Sequence, residues 1–327
     1  MRLIILQTKI FLNSAILFFI IIGCSGSNSK KSEILAMPLS LNIERFDLQF
    51  HQSQSADIPF LKKNYPFLFP KKFHDSVWVK RQKDSLQLLL LENVENTFPS
   101  MDPLEEELEY LFKHLKHYFP RTRTPRFIGV INNVDYQSKI IYNDSLLIIS
   151  LDTYLGKNHR LYEGIPQYIR QEMDAKYLSS HVVNKFAEYK IPPPNDRSFL
   201  SMMVYEGKKI YLKDWVLPRL SEAQKMGFTD EQYQWVVDNE IYIWQYFVEK
   251  QLLFSTEQTL RQRFIEPAPF SKFYLEIDNE SPGRVGVWVG WQIIKSFVER
   301  YPDTDISALL NMPAQTLFSK ANYKPRR

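Results

Sequence analysis

Cysteine is almost absent: Cys24 is the only one in 327 residues. A lone cysteine excludes an internal disulfide framework. Glycine is sparse as well, at ten residues, and neither a phosphate loop nor a dinucleotide fingerprint occurs. Charge of one sign is lacking too. The 41 Lys and Arg nearly balance the 37 Asp and Glu, with no basic patch, so nucleic acid is not the expected partner. None of the six histidines stands in an H-E-x-x-H pattern, which excludes a complete zinc site of that type, and no G-x-S-x-G elbow is present. After the first 24 residues there is no apolar run that could span a bilayer, and no internal repeat. What remains is a chain with 14% aromatic residues, long enough to bury a full core.

The one long hydrophobic run is at the start. Arg2 and Lys9 precede Ile10 to Ile22, interrupted only by Asn13 and Ser14, and Gly23 and Cys24 close it. The run is short for a spanning helix, which needs about 20 apolar residues. It fits the hydrophobic region of a secretory signal with a small residue before the cut. With Cys24 directly after Gly23, the stretch resembles a bacterial lipobox. That resemblance implies cleavage between Gly23 and Cys24 and a covalent lipid on Cys24. An ordinary signal peptide or an uncleaved anchor is the alternative. Removing residues 1–23 takes away two positive charges, so the net charge falls from +4 to +2. The expected organisation is a signal peptide over 1–23, a lipidated N-terminus and flexible tether over 24–38 (SGSNSKKS at 25–32), and one domain over 39–327.

Along that domain, Leu39, Leu41 and Ile43 alternate as in a half-buried strand. Phe46, Leu48 and Phe50 alternate one residue out of phase, so a strand break is expected at Glu44-Arg45. The proline-punctuated stretch 57–80 predicts irregular packing with one short helix. Helices are expected over 84–98 and from Asp102-Pro103, where Asp, Pro and Glu105 to Glu107 suit a helix start. Strands are expected over 127–131, 139–142 and 146–151, with a turn at Asn143-Asp144. After Gly156 the pattern is helical: 164–173, 176–190, 196–217, one long helix from the capping box at Thr229 to about Leu253, a shorter one capped by Ser255, and a last long helix after Gly283. The fold class is α+β, mostly helical, with a small early sheet covered by helices.

In the last long helix, Gly286 and Gly290 lie four apart on one face, beside Trp288 and Trp291. Glycine within a helix costs about 1 kcal/mol relative to alanine, so close packing or a lined groove is expected there. His114 and His117 share a helix, but no acid completes a metal site, and a solvated helix end is the expectation. Glu276, Asp278 and Glu280 lack the ligand set of a calcium loop and read as a solvated strand edge.

The stretch 264–300 resembles the family of the gliding motility lipoprotein GldB. So do IERFDLQF at 43–50, YPFLFPKKFHDSVW at 65–78, LEEELEYLFKHLKHYFP at 104–120, DSLLIISLDTYLG at 144–156 and YEGIPQYIRQ at 162–171. The resemblance implies a membrane-anchored cell-envelope lipoprotein facing the periplasm. It implies partners among gliding and protein-secretion components, and no cofactor beyond the lipid. The element order is also similar to a zincin-type metallopeptidase. Glu206-Gly207 would stand where the second helix supplies a ligand, while Asn184, Lys185 and Glu188 replace the zinc motif. Lys185 in the place of the general base would repel a zinc ion. His181 and Glu188 are two turns apart, too far to share an ion unaided. The expectation is therefore a non-enzymatic component with an interaction surface at Gly283, Gly286, Trp288, Gly290, Trp291 and the loop before them, and with Glu206 in a cleft. The rivals are a hydrolase with a non-standard site and a periplasmic binder of peptide or glycan.

Overall fold

In the computed structural model the described residues are 25–325 without Ile277. Gly23 and Cys24, and with them the signal and lipid-attachment readings, lie outside these residues. The chain divides into two units, at Ser40 and Leu41. The described part of the first contains helix α1 (Ser25–Ala36), where the composition predicts a flexible tether.

The second unit begins with β1 (Ile43–Arg45), whose end at Arg45 is where the phase of the alternation changes. Phe46 to Phe50 is not a strand but part of α2 (Phe46–Gln52). The reason is geometric: residues four apart share a face both in a strand and on a helix, and Phe46 and Phe50 stack with ring centroids 5.6 Å apart. The proline-rich stretch holds more helix than expected, with α3 (Ile58–Asn64) and α4 (Asp75–Gln82) joined by a 3₁₀ turn at Pro66–Leu68. Helix α5 (Ser85–Thr97) is capped by the Asp84 carboxylate, and α6 (Asp102–Tyr118) follows. Its Glu105 does more than favour the helix start, because Oε1 accepts the Ile43 N–H at 2.7 Å and so holds β1.

Strands β2 (Arg126–Val130), β3 (Ile140–Tyr142) and β4 (Leu146–Ser150) complete a four-stranded sheet in the order β1-β2-β4-β3. The first three in that order are parallel, while β3 pairs antiparallel to β4 through the turn at Asn143 and forms one edge. Alternation decides the two faces. Ile128, Val130 and Ile148 pack on the aromatic cluster of Phe46, Phe50, Tyr65, Phe69 and Trp78. Phe127 and Tyr142 face the other way, onto Phe112 and Phe186.

The remainder is helical: α7 (Gln167–Arg170), α8 (Leu178–Lys190), α9 (Phe199–Val216), α10 (Glu222–Met226), α11 (Asp230–Asp238), α12 (Glu240–Glu249), α13 (Thr259–Phe264), α14 (Val285–Arg300), α15 (Ile306–Asn311) and α16 (Ala314–Ala321). Thr229 forms its capping box, but the helix it starts breaks at Asn239, giving α11 and α12 instead of one long element. Ser255 does not cap α13, which starts later, at Thr259.

Helices α9 and α14 cross at bare backbone. A Cβ on Gly290 would stand 1.9 Å from the Met203 carbonyl oxygen, and one on Gly207 would stand 2.4 Å from the Gly290 carbonyl carbon. Trp288 and Trp291 are 1% and 0% exposed, and Trp291 Nε1 donates to Asp214 Oδ2 at 2.8 Å. Gly283, Gly286 and Gly290 are buried as well. The expected interaction surface on this helix is thus corrected: its small and aromatic residues are spent on core packing. In the preceding loop Tyr274 and Leu275 are the exposed large apolar side chains among the described residues.

Candidate functional site

A cleft of about 650 Å³ opens between the β3 edge, α7, α8, α9, α13 with the residues that follow it, and Arg284 at the entry to α14. Helix α8 supplies His181, Asn184, Lys185 and Glu188, whose spacing puts them on one face. The opposite face, with Val182, Val183, Phe186 and Ala187, is buried. Glu206 and Lys209, three apart on α9, form the next wall. The structure therefore brings Glu206 together with every α8 residue that the sequence singles out.

The carboxylates of this cleft are engaged by protein cations. Lys209 Nζ lies 2.8 Å from Glu206 Oε1 and 3.8 Å from Glu188 Oε1. Lys185 Nζ donates to Glu188 Oε2 at 2.8 Å. Arg261 pairs with Glu266 at 2.9 Å. At the inner end, Glu172 faces His181 Nε2 at 2.9 Å and Arg284 at 3.6 Å. Behind the imidazole, the buried Tyr154 hydroxyl lies 2.9 Å from Nδ1.

One tautomer satisfies this line: the Tyr154 O–H donates to Nδ1, and Nε2–H donates to the Glu172 carboxylate. The charges agree with it. Burial lowers the His181 pKa to about 4, against the hydrogen bond to Glu172, which favours the cation. For Glu172, burial pushes upward, but the His181 hydrogen bond and the Arg284 and Lys139 charges outweigh it and bring the carboxyl down to about 2. The imidazole is neutral and the carboxylate ionised at neutral pH. Both ring nitrogens are engaged, so His181 orients Glu172 and has no free lone pair to act as a base.

Glu172, Tyr154, Lys139 and Arg284 carry no signal in the local sequence. Arg284 reaches the cleft through a left-handed backbone (φ 65°) at the entry to α14, and Gly227 makes room, since a Cβ there would meet the Glu172 carboxylate at 2.5 Å. Among the described residues no group of three or more His, Cys, Asp and Glu is arranged to hold a metal ion. His114 is not at a solvated helix end: it is 3% exposed, and Nδ1–H donates to the Tyr110 carbonyl at 2.8 Å. Its ring lies against that of Tyr110, with centroids 4.3 Å apart. Asp278 lies in a 3₁₀ turn, not a strand edge, and accepts the N–H groups of Phe273, Tyr274 and Leu275.

A family model described as gliding motility protein GldB matches residues 27–325. No curated protein and no solved structure matches the chain.

Proposed function

The chain belongs to the family of the gliding motility protein GldB, and on that premise we propose that it is a lipid-anchored, non-catalytic component of the cell envelope that works by docking a partner in the α8–α9 cleft. The anchor is the lipid on Cys24, the chain faces the periplasm, and the partner is a component of the gliding and secretion machinery. The observation that carries this reading is the charge arrangement of the cleft. Lys185 and Lys209 stand against Glu188 and Glu206, so ammonium groups take the places a metal ion would need. The Tyr154–His181–Glu172 line is closed at both ring nitrogens. Such a cleft presents fixed, paired polar groups and recognises shape and charge.

Replacing Asn184, half-buried in the middle of the α8 wall, with tryptophan fills the cleft without touching an ion pair. Asn184→Trp is expected to stop gliding while protein abundance and melting temperature stay at wild-type values. Normal gliding by a stably produced Asn184→Trp protein would sink the reading.

A further inference from the structure

Lys208 on α9 is 6% exposed and lines a second cavity, of about 270 Å³, which shares no lining residue with the α8–α9 cleft. This cavity lies between the segment 192–196, α9 itself and the turn from α15 to α16. Lys208 Nζ donates to the Leu310 carbonyl at 2.8 Å and to the Met312 carbonyl at 2.7 Å. Both carbonyls stand at the C-terminal end of α15, where a cation is favoured. Capping that helix uses two donors, but an ammonium has three. Among the described residues the third has no partner, and Lys208 and both acceptor residues line the cavity.

The charge is unmatched as well. The buried Lys209 and Lys225 each pair with a carboxylate at 2.8 Å, whereas no carboxylate of the described residues pairs with Lys208. Burial alone moves its pKa, down to about 8. Asp196 lines the same cavity, yet its carboxylate is taken up by the Ser198 N–H and the Ser201 O–H, both at 2.8 Å. A buried cation without a counter-ion is costly. Much of the remaining wall is apolar: Pro192, Pro193, Pro194, Val204 and Pro313, with the ring of Tyr205 beside them.

We propose that this cavity binds a small organic carboxylate, with the anion on the third donor of Lys208 and an apolar body against the proline and tyrosine wall. The carboxylate supplies the missing acceptor and the missing charge together. A volume of about 270 Å³ admits a compact acid or the last residue of a chain. The site is independent of the docking proposed for the cleft.

The test is titration calorimetry on the full-length protein in detergent with 3-phenylpropionate, at pH 8 in buffers of different ionisation enthalpy. Saturable binding is expected, with uptake of about half a proton, because the anion restores the charge that burial partly removes from Lys208 at that pH. The other titratable residues lining the cavity do not contribute: Asp196 is held below its ordinary range by the Ser198 and Ser201 hydrogen bonds, and burial raises Tyr205. Replacing the acid by 3-phenylpropionamide, or making Lys208→Met, is expected to weaken binding at least about tenfold. The tripeptide Ac-Ala-Ala-Phe with a free terminal carboxylate separates the sources. Binding as tight as that of the acid assigns a chain terminus, and binding of the acid alone assigns a free acid. No binding of either, amide binding equal to acid binding, or binding without proton uptake overturns the proposal and leaves Lys208 a helix cap. The proton count is read on the wild type, so the test holds even where Lys208→Met does not fold.

Discussion

At the residue scale the His181–Glu172 pair makes the protein sensitive to acid. The imidazole titrates near 4 in the folded chain against an ordinary 6.5. The unfolded state therefore binds more protons between these values, and stability rises with pH across that window and is lost as pH falls through it. Asp152 works in the opposite direction. Burial raises it to about 6, against the N–H groups of Asn132 and Val134 that it accepts. Its contribution is full below 3.8 and is lost as pH rises through 6. The two overlap between 4 and 6, so wild-type stability there is flatter than either group alone would make it. His181→Gln keeps an acceptor for Tyr154 and a donor for Glu172 but cannot titrate. Denaturant titrations at pH 4 and pH 7 are expected to show the variant gaining on wild type by about 2–3 kcal/mol at the lower pH. An equal difference at both values would mean that folding leaves the imidazole's proton affinity unchanged.

At the element scale the crossing of α9 and α14 is the most demanding contact in the helical part. Gly207 and Gly290 face each other across it, each with no room for a methyl group. Because backbone, not a side-chain tip, is in the way, neither helix can yield by a rotamer change. Gly290→Ala is expected to lower the stability of the fold by about 3 kcal/mol or more, read as a shift of the urea midpoint. Gly286→Ala, whose Cβ would meet the Phe264 carbonyl oxygen at 2.9 Å, is expected to cost less. If Gly290→Ala unfolds at the wild-type midpoint, the helices are further apart than described. The spacing Gly286-x-x-x-Gly290 is visible in the sequence, but its partner Gly207 is not, because nothing local on α9 shows which neighbour crosses there. Conversely, the helix halts at Asn239, whose Nδ2 donates to the Trp235 carbonyl at 2.8 Å. The capping box at Thr229 starts the helix as written, while local spacing alone runs on toward Leu253.

At the scale of the whole molecule, among the described residues no helix is long and apolar enough to cross a membrane. Under the proposed anchoring, attachment falls to the N-terminal segment, where several acyl chains on one cysteine, each CH2 adding about 0.8 kcal/mol, hold firmly. Metabolic labelling with an alkyne fatty acid is expected to mark the wild-type protein and leave Cys24→Ser unmarked, with intact mass showing loss of residues 1–23 only in the wild type. Label retained on Cys24→Ser, or absent from both, would remove the lipid anchor from the account.

Elements with one strong local cause were legible in the sequence. The strands around Phe127, Ile140 and Ile148 follow from alternation, α6 from its Asp-Pro start and apolar stripe, and α8 and α9 from uninterrupted helical spacing. His181, Asn184, Lys185 and Glu188 on α8, and Glu206 on α9, were named through the similarity of element order to a zincin-type fold, and helical spacing then puts the four α8 residues on one face. What faces Glu172, Lys139 and Arg284 was decided only in three dimensions. These residues lie on segments remote from one another in the chain, and their charges are set by burial and by neighbours that no local pattern contains. The same holds for Trp288 and Trp291. Composition shows large aromatic surfaces beside small residues, but whether such a face meets solvent or another helix depends on what the rest of the chain brings against it, and here α9 does.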